Sequence, residues 1–235
     1  MKICFFFLLL FALLNIKNIA NANSPVRVDC ARFAQFGCHV FHPHDKETTH
    51  PLLVFIRGLY NGSSTVPAGT SRQTAARKAI SAFAFEKLAT KYNIDILVSG
   101  SSHLGVDEEL YAKLQEIYGT DFSYFLAAHS GGYIGLFSTL EAAQAGRIEN
   151  PPSKLFMLDN FYSTIPHNHS LFGNYMQQGG ACQGYLTTHN LARYQTFYKK
   201  YNCQVDGENN SAQYNHSGSV NPCLDLYLQS KPCHL

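Results

Sequence analysis

The chain has 235 residues, of which 46% are hydrophobic, 14% charged and 13% aromatic, a balance that excludes a disordered tail or a coiled coil and makes one domain the first expectation. Residues 1–22 read as a secretory signal peptide: Lys2, an apolar run from Ile3 to Leu14 that is short for a bilayer span, and a small-residue exit at Ala20-Asn21-Ala22. Cleavage there removes Lys2 and Lys17 and leaves 213 residues in which 16 Lys and Arg face 16 acids, a neutrality that argues against nucleic acid as a partner.

In chain order, Cys38 to Phe41 reads as a strand, Pro43 to Pro51 as the hairpin turn that follows it, and Leu52 to Ile56 as a β-rich strand bounded by Arg57-Gly58. One long helix is expected from Ser71 to Asn93, where Ala75, Ile80, Phe83, Phe85, Leu88 and Ala89 recur at mostly helical intervals. Ile94 to Val98 is the next strand. Asp107 to Tyr118 is a helix with Asp107-Glu108-Glu109 at its positive end. Phe122 to Ala128 is a buried strand, Ser130 opens an apolar helix reaching Ala145, and Leu155 to Leu158 is a further strand. Alternation of this kind predicts an α/β fold with a mostly parallel sheet flanked by helices. Beyond Asp159 the pattern loosens: a loop-like aromatic stretch over 160–181, a strand over Gly184 to Thr187, a Tyr-rich helix from Leu191 to Tyr201, a polar stretch from Asp206 to Asn215, and a terminal helix from Val220 to Leu228.

Six cysteines remain after cleavage, and they can pair in 15 ways. Pairing neighbours, Cys30 with Cys38, Cys182 with Cys203 and Cys223 with Cys233, closes modest loops that do not cross. No CxxC and no zinc-knuckle spacing is present. The cysteines therefore read as staples of a secreted or periplasmic protein with no membrane span after signal cleavage. Four Asn-x-Ser sequons occur, and a glycan on Asn215 would crowd His216, so the pattern favours a bacterial periplasm or secretion over the eukaryotic route.

The segment Ala128-His129-Ser130-Gly131-Gly132 has a small residue two before a serine and a glycine two after it, between an apolar strand and an apolar helix. A sharp turn there would hold the serine in a strained conformation with its hydroxyl above the sheet, which leaves no room for side chains two positions either side. On these residues, and on a late histidine before a terminal helix, the chain resembles the α/β-hydrolase superfamily over most of residues 23–235. A His-Ser-Gly-Gly elbow followed by a strand ending in Leu158-Asp159-Asn160-Phe161-Tyr162 is similar to small exported hydrolases.

The resemblance implies a single-domain, disulfide-stapled serine hydrolase, with no cofactor and no metal. Ser130 is the nucleophile, His216 the base and Asp159 the acid; Asp206, ten residues before His216, is the alternative acid, and His189 the second choice of base. The oxyanion hole would be made by the backbone N–H groups of Gly131 and Leu59. The superfamily usually has His-Gly where this chain has Arg57-Gly58, and Arg57 reads either as facing an anionic substrate group or as a surface or structural arginine. Phe161, Tyr162, Leu171, Phe172, Tyr175 and Met176 are candidates to wall an apolar pocket, which favours a small acyl ester as substrate. A peptide substrate, and a catalytically inactive binding protein of the same fold, are the alternatives. His42, His44, Asp45 and His50 have a weak metal-motif look and read as solvated turn residues; His129 is expected to pack rather than act.

Overall fold

The computed structural model describes residues 25–43, 50–58, 70–160, 166–207 and 218–233; the expected signal peptide lies outside them. Eight strands, β1 (Arg27–Asp29), β2 (Gly37–Phe41), β3 (Leu52–Ile56), β4 (Asp95–Ser99), β5 (Tyr124–His129), β6 (Lys154–Leu158), β7 (Ala181–Leu186) and β8 (Gln204–Gly207), form one sheet in the order β1-β2-β4-β3-β5-β6-β7-β8. β2 runs antiparallel to both β1 and β4, and every other pairing is parallel. The helices among the described residues are α1 (Arg72–Ala82), α2 (Phe85–Tyr92), α3 (Glu108–Tyr118), α4 (Tyr133–Gln144), α5 (Pro166–Gln177), α6 (Thr188–Lys200) and α7 (Val220–Leu228).

β3 is buried at all five positions, which is why Leu52 to Ile56 reads as an unbroken apolar run. Its alternating residues feed two cores. Leu52, Val54 and Ile56 pack with Leu114 of α3, Leu136 and Leu140 of α4, Phe172 of α5 and Tyr198 of α6. Leu53 and Phe55 pack with Ala76 and Ile80 of α1, Phe85 and Leu88 of α2, and Leu224 and Tyr227 of α7. Helices thus cover both faces, and the polar residues at the strand ends are left to build the edges.

Four expectations are corrected. β2 and β3 are not a hairpin, because β4 lies between them and pairs with both; β2's hairpin partner is the short β1, closed by Cys30–Cys38. The long helix over 71–93 is two helices, broken where Ala84 adopts φ 49°. Phe83 and Phe85 both pack on Phe55, with ring centroids 5.6 and 4.7 Å away. Residues two apart on a continuous helix point to different sides, so the left-handed turn is what brings both rings to one core. The stretch expected as loop contains α5, with Pro166 at its first helical position and Leu171, Phe172 and Tyr175 on its buried side. Gly173 lets it close on α6: a Cβ there would lie 2.8 Å from the Tyr201 ring. Finally, Asp206 falls within a strand, β8, rather than in a polar loop.

All three neighbouring cysteine pairs are bonded: Cys30–Cys38, Cys182–Cys203 and Cys223–Cys233. They fit a secreted or periplasmic protein. No helix among the described residues is long and apolar enough to cross a membrane.

The histidines of the β2 end lie at the amino-terminal edge of the parallel strands, around Asp95, the first residue of β4. The His42 backbone N–H donates to Asp95 Oδ1 at 3.0 Å and its Nδ1 lies 3.2 Å from the same oxygen. Tyr118 donates its hydroxyl to Asp95 Oδ2 at 2.7 Å, and His39 Nε2 lies 2.9 Å from that hydroxyl. His42 also stacks on His50, at 4.7 Å. His42 and His50 are buried, not solvated as expected: the His42 ring meets the buried Asp95 carboxylate, which needs donors, and His50 Nδ1 lies 3.3 Å from the Asn93 carbonyl; His44 and Asp45 lie outside the described residues.

Candidate active site

β5 ends at His129, and a 3-10 turn, Ser130–Gly132, joins it directly to α4. Ser130 has φ 52°, a left-handed conformation that a non-glycine residue adopts only where its surroundings impose it. Two glycines show what imposes it. A Cβ at Gly132 would overlap the carbonyl oxygen of Ile56, so the turn can press on β3 only because that position has no side chain. A Cβ at Gly58 would lie 2.6 Å from Ser130 Cβ and 3.2 Å from its Oγ, so the backbone leaving β3 runs directly against the serine. Ala128, two before Ser130, is fully buried. Ser130 itself is 8% exposed. Gly131 follows at the start of the turn, where backbone N–H groups have no intrahelical partner.

His129 points away from this edge. Its ring is buried against Phe83 of the opposite core, at 5.8 Å and 73°, which is the packing role expected of it.

Asp159 follows β6 as Ser130 follows β5, and the register pairs His129 with Leu158, so the two residues emerge side by side at one edge. Asp159 is fully buried with φ 44°. Its carboxylate accepts hydrogen bonds from the Thr187 backbone N–H at 3.0 Å, from Thr187 Oγ1 at 3.0 Å and from Asn190 Nδ2 at 2.8 Å. It thereby sits at the amino-terminal end of α6, where the helix dipole favours a negative charge. Asp206 is placed differently: it lies in β8 opposite Tyr185, and its Oδ2 accepts from the Cys233 backbone N–H at 2.6 Å. Burial, then the Asp206 carboxylate beside it, hold the Tyr227 phenol well above its ordinary pKa, so that hydroxyl stays neutral.

Arg57, the last residue before Gly58, is buried rather than on the surface. Its backbone N–H donates to Ser99 Oγ at 3.1 Å and its Nε to the Gly100 carbonyl at 3.0 Å. Burial lowers its pKa from the usual guanidinium value.

His216 and Leu59, with Phe161 and Tyr162, lie outside the described residues. His189 falls in the first turn of α6. Of the expected pocket wall, Phe172 and Tyr175 are core residues instead. Leu171 does line an open groove of about 430 Å³ between α4 and α5, with Tyr133, Ile134, Phe137 and His167, beginning one turn beyond Ser130.

Sequence reasoning missed the residues that hold the edge together. Asn160 donates its Nδ2 to the Ala128 carbonyl at 2.8 Å, tying the end of β6 to the strand that bears Ser130, and Tyr198 donates its hydroxyl to the Asn160 carbonyl at 3.1 Å. Thr187 and Asn190 were equally silent. The one available signal was Thr187 before the polar start of a helix, which reads as an N-cap, yet its hydroxyl serves Asp159 and makes no cap bond.

No family model matches the chain, and no curated protein matches it. A solved structure of an uncharacterized protein from Bacillus cereus ATCC 10987 is similar in part, at 13% identity over 70% of this chain and 53% of that one, with a TM-score of 0.46. The chain spans about half the length of that protein.

Proposed function

We propose that the chain is an exported serine hydrolase of α/β-hydrolase fold that cleaves a carboxylic ester through an acyl-enzyme. The observation that carries this reading is the left-handed Ser130, placed between a parallel strand and a helix with Gly58 against its side chain. A left-handed residue costs roughly 1–3 kcal/mol and persists only where its surroundings over-determine it, a condition often met at active sites. The strand order, with an antiparallel second strand and the serine after the fifth, supports the fold assignment.

In the proposed reaction Ser130 Oγ attacks the ester carbonyl carbon while His216 takes its proton. The tetrahedral oxyanion is held by the N–H groups of Gly131 and Leu59, the alcohol leaves with the proton from His216, and water then hydrolyses the acyl-serine. Asp159 orients His216 and balances its cation. Asp159 is preferred over Asp206 because it leaves its strand beside Ser130, whereas Asp206 is engaged by the chain's last disulfide loop. The groove beside α4 is open, and Tyr133, Ile134, Phe137 and Leu171 give it an apolar portion that suits a short acyl chain, while Ser138, Glu141, His167 and Asn168 make the rest of its lining.

The test is active-site labelling of the oxidised protein with a fluorophosphonate. Labelling that disappears in both Ser130→Ala and His216→Ala is the expected result. A folded wild-type protein that takes no label would overturn the reading and favour a binding protein of the same fold; cleavage of a peptide in preference to an ester would move the activity to a peptidase.

A further inference from the structure

Arginine is rarely buried without an anion, because a guanidinium leaves water at a cost that only a counter-charge and a full set of hydrogen bonds offset. Arg57 departs from that rule. It is 8% exposed, its Nε is satisfied by the neutral Gly100 carbonyl, and its Nη1 is buried with no hydrogen-bond partner. No carboxylate among the described residues pairs with it. Its place in the fold supplies the neighbourhood: the Nε bond to Gly100 holds the guanidinium just past the end of β4, and the next residue, Gly58, runs against Ser130 just past the end of β5, so both lie at the carboxyl-terminal edge of the sheet on either side of β3.

We propose that Arg57 is an anion subsite of the active site, and that it receives a carboxylate carried by the substrate close to the scissile bond. The inference rests on the hydrolase reading of Ser130. It deepens that reading by naming the substrate class, an ester whose acyl part ends in a carboxylate. A carboxylate fits better than a phosphate group because the site offers a single cation. Arg72, whose backbone flanks Gly100, sends its own guanidinium to the Gln35 carbonyl at 2.6 Å. One guanidinium neutralises one charge, and its planar fork matches a carboxylate edge.

The test compares two pairs of p-nitrophenyl esters matched in length: the hemisuccinate against the butyrate, and the hemiglutarate against the valerate. The wild-type protein is expected to favour the carboxylate ester of at least one pair by about tenfold or more in kcat/KM. Arg57→Met should bring that ratio to about one or below, and Arg57→Lys should restore part of it. A wild-type ratio near one in both pairs, or a ratio that survives in Arg57→Met, would overturn the proposal. Thermal melting separates a structural role: a lower midpoint in Arg57→Met with its selectivity intact would make Arg57 a mere support for Gly100. If neither ester is cleaved and Ser130 takes no label, the hydrolase reading fails on its own, and calorimetry with succinate, glutarate and inorganic phosphate decides the subsite. Dicarboxylate binding that is lost in Arg57→Met would keep it. No binding, or tighter binding of phosphate, would overturn it.

Discussion

At the scale of single residues, the position of Ser130 can be tested without any substrate. A left-handed backbone costs an L-residue roughly 1–2 kcal/mol and glycine almost nothing. Ser130→Gly is therefore expected to be more stable than Ser130→Ala by about 1 kcal/mol in denaturant melts, although glycine is ordinarily the less stabilising of the two. Equal stabilities would mean that the turn at φ 52° stores no strain. Asp159 is bound into its surroundings by Thr187 and Asn190, so Asp159→Asn separates the charge of the carboxylate from its hydrogen bonds. All three donors meet Oδ1, whose place an amide oxygen can take, and the Thr187 hydroxyl near Oδ2 can accept from an amide nitrogen, so the melting point should change little; on the proposed reading, loss of the carboxylate should lower turnover by about 10⁴-fold, as expected for a triad acid. If Asp206→Asn abolishes fluorophosphonate labelling while Asp159→Asn does not, the acid is Asp206.

At the scale of elements, the tie between α2 and α7 gives a pH-dependent prediction. Lys91 Nζ lies 2.6 Å from Asp225 Oδ1, and the Tyr92 hydroxyl donates to the same oxygen at 2.7 Å. Partial burial pushes the Asp225 carboxyl up, but the hydrogen bonds from Lys91 and Tyr92 and the Lys91 charge outweigh it, so the folded-state pKa is depressed. A depressed carboxyl stabilises the fold at every pH above its unfolded value, and that contribution disappears as pH falls through the folded value. Asp225→Asn is therefore expected to melt below the wild type at neutral pH. The two curves should converge once pH drops below the ordinary carboxylate range; a gap of constant size across that range would remove the carboxylate from the tie. Elements were also where the sequence was least legible. The break at Ala84 is invisible in a periodicity that looks continuous from Ser71 to Asn93, because only the place of Phe55 across the core shows that Phe83 and Phe85 need the same side. α5 was hidden by its His, Asn and Gly content, residues that favour loops in isolation and are overridden here by burial of Leu171 and Phe172.

At the scale of the whole molecule, a sheet with helices on both faces closes around two cores, and the disulfides hold its outer parts. Cys30–Cys38 staples the β1–β2 edge, Cys182–Cys203 the β7–β8 edge, and Cys223–Cys233 the chain after α7. Loop-closure entropy grows with the residues enclosed, so the bridge of sequence separation 21 should matter most. Replacing Cys182 and Cys203 together by alanine should cost about 3 kcal/mol, more than removing either of the other bridges. Chemical denaturation of the three double variants checks the order, and an equal loss in all three would show that strain or residual unfolded structure, not loop length, governs them.

What the sequence determined by itself is local: the apolar strands, the spacing of the cysteines, and the small residues around Ser130. Each of those follows from neighbours along the chain, since a buried strand must be apolar, adjacent cysteines close the shortest loops, and a tight turn admits no side chains. Only the tertiary structure decided the rest. It placed β4 between β2 and β3, set Gly58 against Ser130, brought Thr187 and Asn190 to Asp159 across 28 and 31 residues, and buried Arg57 with no counter-ion among the described residues. These depend on which strands become neighbours in the sheet, and strand pairing is settled by the burial of whole faces against each other, a quantity that no short stretch of sequence contains.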